Sequence, residues 1–330
     1  MSHPWLGSPT VPLTVTPTRR QLLQGGAGLA AAAALPAPTA TAAPRPTDRR
    51  PDVVHRGRSI AVSPDGRRLA VAHAARRTLE LTDRRARATR RVTLDGQPAE
   101  LAWAPSGGLL AVTTAFWDAP GLELHGLDGR RTRLDVGPAP LAVAITDRPR
   151  RIVVAGGEQE GTLHVLSGPG YAQRRVVPLG AVPRGLAVHG DRAWVALQAE
   201  DAVVHVDLAT GAVLRRVGVP ALPDRIAIRP DGARLLVAHG GPARDLTELE
   251  TRRGGRRRAL AAAPAVGAVA YAPGGRRLAA LPEAAAVLSI DARGRRRRLP
   301  TVSGPRGLAV AGRHVFVVSA TTGKVGRVRP

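Results

Sequence analysis

One short apolar pattern recurs seven times along this chain, and it limits the fold more than any other feature. It opens as Ile60-Ala61-Val62-Ser63-Pro64-Asp65-Gly66 and returns at Leu101-Ala102-Trp103, Leu141-Ala142-Val143 and Leu186-Ala187-Val188. Ile226-Ala227-Ile228, Val269-Ala270-Tyr271 and Leu308-Ala309-Val310 complete the set. The shared alanines fall at 61, 102, 142, 187, 227, 270 and 309, in steps of 41, 40, 45, 40, 43 and 39. Self-similarity at such a period marks one supersecondary unit repeated, each burying its apolar face against the next.

Each unit reads as four short strands. The anchor comes first and is followed by a turn such as Pro64-Asp65-Gly66 or Pro230-Asp231-Gly232. Proline presets φ there and glycine accepts φ > 0. A second apolar run follows (Leu69–Ala72, Ile152–Ala155, Val315–Val318), then a third strand typified by Val203–Asp207 and a fourth typified by Val213–Val217. Strands this short need stacked neighbours, and closing the stack into a ring protects the edges. The expected fold is all-β: a seven-bladed β-propeller of four-stranded antiparallel blades. The last unit has no candidate for a fourth strand, so Asp52-Val53-Val54-His55 is expected to supply it and close the ring.

The repeat resembles the YVTN family of propellers, related to lactonase-like and nitrous-oxide-reductase-type propellers. Val203–Val206 followed by Asp207-Leu208-Ala209-Thr210-Gly211 is similar to that family's third-strand ending, and the resemblance covers residues 55–330. It implies the fold and leaves the chemistry open, since such scaffolds host many functions. The chain departs from the family at the end of the second strand, where asparagine is favoured and His73 and His239 stand instead.

Ahead of the repeats, Thr18-Arg19-Arg20-Gln21-Leu22-Leu23 is a twin-arginine pair leading into an uncharged stretch that runs from Gln21 to Pro44. Ala40-Thr41-Ala42 offers the small-x-small pattern that a signal peptidase cuts. The apolar core of about 14 residues is short of the ~20 that a spanning helix needs. Residues 1–42 therefore read as a twin-arginine signal peptide, 43–51 as a linker and 52–330 as the propeller, exported to the periplasm or beyond.

Cysteine is absent, which excludes disulfides, thiolate-held metals and thiol catalysis. Asparagine is absent too. Lys324 is the single lysine among 49 basic residues, a sign of biased codon usage, but that bias exchanges lysine for arginine at constant charge and leaves the net +24 unexplained. In a propeller the first strand lines the central channel. The turns joining strands one to two and three to four share one face. That face is expected to be arginine-rich, with the run Arg295, Arg296, Arg297 and Arg298 as its strongest polyanion-binding element. An anionic envelope polymer, a membrane headgroup or a protein are the partners it suits. Nucleic acid is disfavoured by export and by the scarcity of aromatics, at 2%.

The opposite face gathers Glu100, Asp118, Glu158, Glu160, Glu200, Asp201 and Asp224 from irregular loops. It also gathers Arg184, Arg225 and Arg306, with Arg58, where first strands begin at the channel mouth. Irregular loops on a rigid scaffold are where binding residues usually sit. The expected ligand site is therefore His73, Trp117, Asp118, Glu158, Glu160, Arg184, Glu200, Asp201, Arg225, His239 and Arg306. No G-x-S-x-G exists for a serine hydrolase. Too few histidines reach the channel for a copper cluster, and the asparagine of sugar-lactonase metal sites is missing. A monomeric binding or scaffold module with no cofactor and no metal is the main expectation. A lactonase-like or metal-dependent enzyme using the acidic loops is the alternative. Intact mass of exported protein should place its first residue near Ala43, and a species retaining Met1 would contradict that boundary.

Overall fold

The computed structural model describes residues 59–330 apart from 86, 117–118, 241–244, 253–256 and 263–264. Seven antiparallel sheets stand in a ring, each with its strands in chain order. Blade one holds β1 (Ser59–Val62), β2 (Arg68–His73), β3 (Thr78–Asp83) and β4 (Ala88–Thr93). Blade two holds β5 (Gln97–Trp103), β6 (Leu109–Phe116), β7 (Gly121–Gly126) and β8 (Arg131–Leu134). Blade three follows with β9 (Pro140–Asp147), β10 (Arg150–Gly156), β11 (Thr162–Ser167) and β12 (Gln173–Pro178). Blade four is β13 (Pro183–His189), β14 (Arg192–Leu197), β15 (Ala202–Asp207) and β16 (Val213–Gly218). Blade five is β17 (Pro223–Ile228), β18 (Arg234–His239), β19 (Asp245–Glu250) and β20 (Arg257–Ala262). Blade six is β21 (Val269–Ala272), β22 (Arg276–Leu281), β23 (Ala286–Ile290) and β24 (Arg296–Pro300). Blade seven contributes β25 (Pro305–Ala311), β26 (His314–Ser319) and β27 (Val325–Val328) among the described residues. The segment expected to complete it, Asp52–His55, lies outside them.

Burial follows strand position. Second strands are buried almost end to end, as in Leu69–His73 and Ala193–Leu197, while fourth strands such as Val213–Arg216 are exposed. The core is therefore a series of clusters between adjacent blades. Ile60, Leu69 and Val71 of blade one pack with Ala309, Phe316 and Val318 of blade seven, which joins the first blade to the last. Inner strands approach so closely that some positions exclude any side chain. A Cβ on Gly185 would lie 2.9 Å from the Asp224 carbonyl oxygen of the next blade. One on Gly307 would meet Val318 at 2.9 Å and Ile60 Cγ2 at 3.2 Å.

Five inner strands carry a β-bulge one residue after a proline: Ala99 after Pro98, Leu141 after Pro140, Arg184 after Pro183, Asp224 after Pro223 and Arg306 after Pro305. The bulge corrects the repeat alignment in blade three. Ala144 pairs with Val153 as Ala187 pairs with Trp194, so Ala144 and not Ala142 is the repeat alanine. The steps become 41, 42, 43, 40, 43 and 39, more even than the apolar pattern alone gave.

Outer strands are tied by a repeated contact. Arg131 donates to the Thr93 carbonyl (3.4 Å), Arg216 to Leu179 (2.9 Å), Arg257 to Gly218 (2.8 Å) and Arg296 to Leu260 (2.6 Å); Arg174 does the same to Asp135. In each case a fourth-strand guanidinium reaches back to the fourth strand of the preceding blade or the residue just beyond it. Two buried carboxylates add further ties, Glu248 between blades five and six and Glu123 within blade two and to the segment that enters it. Glu248 of β19 accepts from Arg277 Nε and Nη2 at 2.8 and 2.7 Å and from the Tyr271 hydroxyl at 2.9 Å. Burial works to raise the Glu248 pKa, but the bonds from Arg277 and Tyr271 outweigh it and hold the carboxyl below its ordinary value. Glu123 of β7 accepts from the Asp95 amide at 2.9 Å and lies 2.8 Å from Arg131.

The tight turns correct the expected sorting of charge. Asp65, Asp83, Asp128, Asp207, Asp231 and Asp291 all sit on the arginine-rich turn face and accept from backbone amides two to four residues on. These aspartates shape the turns as Asx motifs and offset the neighbouring arginines. The arginine run moves as well: Arg296–Arg298 lie in outer strand β24, on the circumference, and Arg295 is held by Asp291 at 2.7 Å. The cause is register, since Leu288 pairs with Arg298 and Ile290 with Arg296.

Removing one member of a buried pair leaves the other charged and unpartnered, at a cost of about 3–5 kcal/mol. Glu248→Ala should lower the denaturation midpoint by that order, while Glu200→Ala, at an exposed ion pair, should shift it by less than about 1 kcal/mol. Equal midpoints would contradict the buried staple.

Acid should unfold the ring in two stages. Burial pushes His164 and His205 below the usual 6.5, so the folded state binds fewer protons and stability falls as pH drops below that value. Asp65, Asp83, Asp207 and Asp291 are held below 3.8, and Asp231 to about 2 by its bond from Arg229, so their contribution persists above 3.8 and is lost between there and about 2. Thermal midpoints measured against pH should show both limbs, and a flat profile down to pH 4 would remove the histidine one.

Candidate functional site

The bulged ends of the inner strands converge on a cavity of about 240 Å³ at one mouth of the channel. Its lining comes from first strands of six blades, with Ser59, Glu100, Arg184, Arg225, Arg306 and the backbone near Gly267 among its members. Sequence dictates this convergence. Proline cannot donate to the ladder, the next residue bulges, and a bulge re-aims its side chain. Arg184 and Arg306 occupy that bulge position in blades four and seven, and Arg225 is the residue after it in blade five.

The three guanidiniums are unequally satisfied. Arg184 Nε donates to Gln198 Oε1 at 2.9 Å. Arg225 Nε is buried and makes no hydrogen bond, with Asp224 Oδ2 at 3.5 Å giving a charge contact only. Arg306 is half-buried and has no ion pair among the described residues. Burial, then the charge of Arg225, lowers the Arg306 pKa from its ordinary value, and Asp224 opposes the shift. Such a site favours an added anion, because two crowded guanidiniums gain from a shared counter-charge while isolated water does little for them.

The remaining expected site residues lie elsewhere. Trp117 and Asp118 fall outside the described residues. Glu158 and Glu160 are exposed in the loop between β10 and β11 and do not line the cavity. Glu200 is ion-paired with Arg216, and Asp201 accepts from the Leu222 amide at 2.7 Å, so both brace the fourth blade. His73 is buried with Nε2 at 3.4 Å from Glu80, and His239 is buried with Nε2 at 3.0 Å from Thr247 Oγ1. Neither lines the cavity at the channel mouth. No group of three histidine, aspartate or glutamate side chains is arranged to hold a metal among the described residues.

Sequence reasoning placed the arginines at the mouth but missed the buried carboxylates Glu123 and Glu248. The available signal was a carboxylate flanked by apolar residues in a third strand, as in Leu122-Glu123-Leu124. Such an acid must find a partner inside the fold.

A family model described as the TAT (twin-arginine translocation) pathway signal sequence matches residues 16–36. The chain is exported by that pathway, to the periplasm or beyond. No curated protein matches it in sequence. Among solved structures it is similar to hydrazine synthase of Kuenenia stuttgartiensis, with TM-score 0.77 at 19% identity, over 84% of this chain and 96% of that one. It is also similar to virginiamycin B lyase from Staphylococcus aureus, with TM-score 0.71 at 14% identity, over 84% and 95% of the two chains. At these identities the likeness is one of fold.

Proposed function

We propose that the chain is an exported binding module that holds a small anionic ligand at the channel mouth through Arg184, Arg225 and Arg306. The observation that carries this is a single cavity lined by three arginines from blades four, five and seven, of which Arg225 lacks a bond at Nε and Arg306 lacks an ion pair. Guanidinium forks suit carboxylate and phosphate groups, and Glu100 at the same rim favours a ligand that also carries a donor. The acidic loop residues that a metal-dependent hydrolase would need are dispersed or committed to ion pairs, which favours binding over catalysis. Trp103, Trp194, Tyr271 and Phe316 are buried, so these four rings are closed to stacking with the bases of a single strand. The repeat pattern is that of the YVTN propellers, and we place the chain among them on those residues.

Small carboxylates and phosphate esters, screened by thermal shift at fixed ionic strength, should include one that stabilises the protein saturably. Arg306→Ala and Arg225→Ala should each weaken that ligand about tenfold or more, and Glu158→Ala should leave it unchanged. Undiminished affinity in both arginine variants and in Arg184→Ala would move the site away from the mouth.

A further inference from the structure

The seam where blade seven meets blade one carries a second cavity, at the other end of the first strands from the channel mouth. Its volume is about 500 Å³. Val62, Val310 and Phe316 form an apolar floor, and Arg84, Arg313 and His314 stand at its edge. Arg84 comes from the turn after β3 and Arg313 from the turn before β26, so the two blades contribute one cation each.

Strand register shows what this corner lacks. In blades one, four and five the second strand opens with an arginine opposite a carboxylate: Arg68 opposite Asp83, Arg192 opposite Asp207, Arg234 opposite Glu250. Arg192 and Asp207 are ion-paired, and Arg234 lies 3.3 Å from Glu250. Blade seven keeps the frame, with Val315 opposite Val328, which sets His314 against Arg329. A ring that can take up a proton thus faces a guanidinium where blades one, four and five hold a carboxylate.

Among the described residues no carboxylate pairs with these cations. Arg84, Arg313, Arg327 and Arg329 have no ion pair among the described residues. His314 Nδ1 is buried without a hydrogen bond, and its ring lies 6.5 Å from Phe316. The one carboxylate lining the cavity, Asp65, is engaged by Ser63 Oγ at 2.5 Å and by the Arg67 amide at 3.0 Å. Burial lowers the His314 pKa, and Arg329, Arg327, Arg313 and Arg84 lower it further, so the imidazole is neutral near pH 7.

We propose that this seam pocket binds a tetrahedral oxyanion, a phosphate or sulfate group that takes the place of the carboxylate present at this position in blades one, four and five. Arg84 and Arg313 hold its oxygens from two blades, His314 closes the inner side, and Arg327 and Arg329 add to the positive field. The group is either a free ion or part of an anionic polymer. Binding offsets the arginine charges that keep His314 neutral, so the anion and a proton favour one another. Affinity therefore rises as pH falls toward about 5.5, where Asp65 remains ionised and the arginines do not titrate.

Sulfate is the first probe, because it does not titrate in this range. The full exported chain is titrated with sodium sulfate and, at matched ionic strength, with sodium chloride. The readout is the His314 imidazole resonance, assigned by its loss in His314→Gln. A saturable shift with sulfate and none with chloride is expected, with tighter binding at about pH 5.5 than at neutral pH. The double variant Arg84→Gln/Arg313→Gln changes exposed turn residues, and its melting temperature in chloride verifies the fold. It should weaken sulfate about tenfold or more. An equal response to both salts, or sulfate affinity within about twofold of the parent in the double variant, overturns the proposal. Inorganic phosphate and polyphosphate then identify the source. Tighter binding of polyphosphate with a steep salt dependence marks a polymer, and equal affinity per phosphate marks the free ion. A shift of the resonance by neither compound, in a protein that binds sulfate, overturns phosphate as the group recognised.

Discussion

The ring depends on one contact repeated around its circumference: an outer-strand arginine reaching back to a backbone carbonyl of the blade before it. Arg131, Arg174, Arg216, Arg257 and Arg296 make it in five successive blades. Apolar packing between blades is non-directional, so it resists separation but leaves sliding of one sheet on the next weakly opposed. A fixed guanidinium–carbonyl bond at the rim sets the angle between neighbours, and the glycines at the inner strands set their distance. Four of these bonds are exposed and that of Arg216 is half-buried, and each contributes modestly, in the range of about 0.5–1.5 kcal/mol. The same bond bears on the net charge of +24. Arg131 and Arg216 also pair with carboxylates, but Arg174, Arg257 and Arg296 have no ion pair among the described residues, so at those three the staple adds positive charge without a matching negative one. Codon bias explains why the residue is arginine and not lysine, and a planar fork reaches a carbonyl across a blade boundary better than a hydrated ammonium does.

The period made the fold legible, because it records a physical necessity: no blade can bury its faces alone. Turn chemistry was legible for the same reason, since Pro64-Asp65-Gly66 admits few backbone paths. Registers were not. Whether Ala142 or Ala144 is the repeat alanine depends on a bulge at Leu141, and apolar alternation is satisfied by either choice two residues apart. A shift of two preserves the face of every side chain, so the pattern carries no information that would expose the error.

Charge was partly legible for a different reason. The sequence shows where an arginine is but not what it touches. Arg225 and Arg306 were placed at the channel mouth because first strands begin there, and the cavity gathers them. Arg296–Arg298 were placed on the turn face because they follow a turn, and the ladder with β23 draws them onto the circumference instead. The turn aspartates were visible as Asp65, Asp207 and Asp291, but an acid in an Asx turn is already occupied by backbone amides. Counting it as free acid on one face, or overlooking it on the other, misjudges the field.

What separates a structural arginine from one available to a ligand is its partner. The rim arginines Arg131, Arg174, Arg216, Arg257 and Arg296 end on carbonyls, and Arg277 is consumed by Glu248 in the interior. Arg306 at the channel mouth and Arg84 and Arg313 at the seam have no ion pair among the described residues, and each lies beside a cavity. Inner strand β25 reaches both places, with Arg306 at one end and Arg313 just past the other, while Arg84 joins from the turn after β3. At one end a proline and its bulge turn a side chain into the channel, and at the other a tight turn carries the cation to the blade junction. The strand between them buries alternate residues against its neighbours and cannot shift without disturbing the ring. Guanidiniums fixed on such a strand lose little freedom when an anion arrives, so less of the gain from the new bonds is lost to ordering. A rim arginine, by contrast, would first have to release its carbonyl. Availability in this protein is therefore decided at the two ends of the innermost strand, and the density of arginine elsewhere on the surface is a poor guide to it.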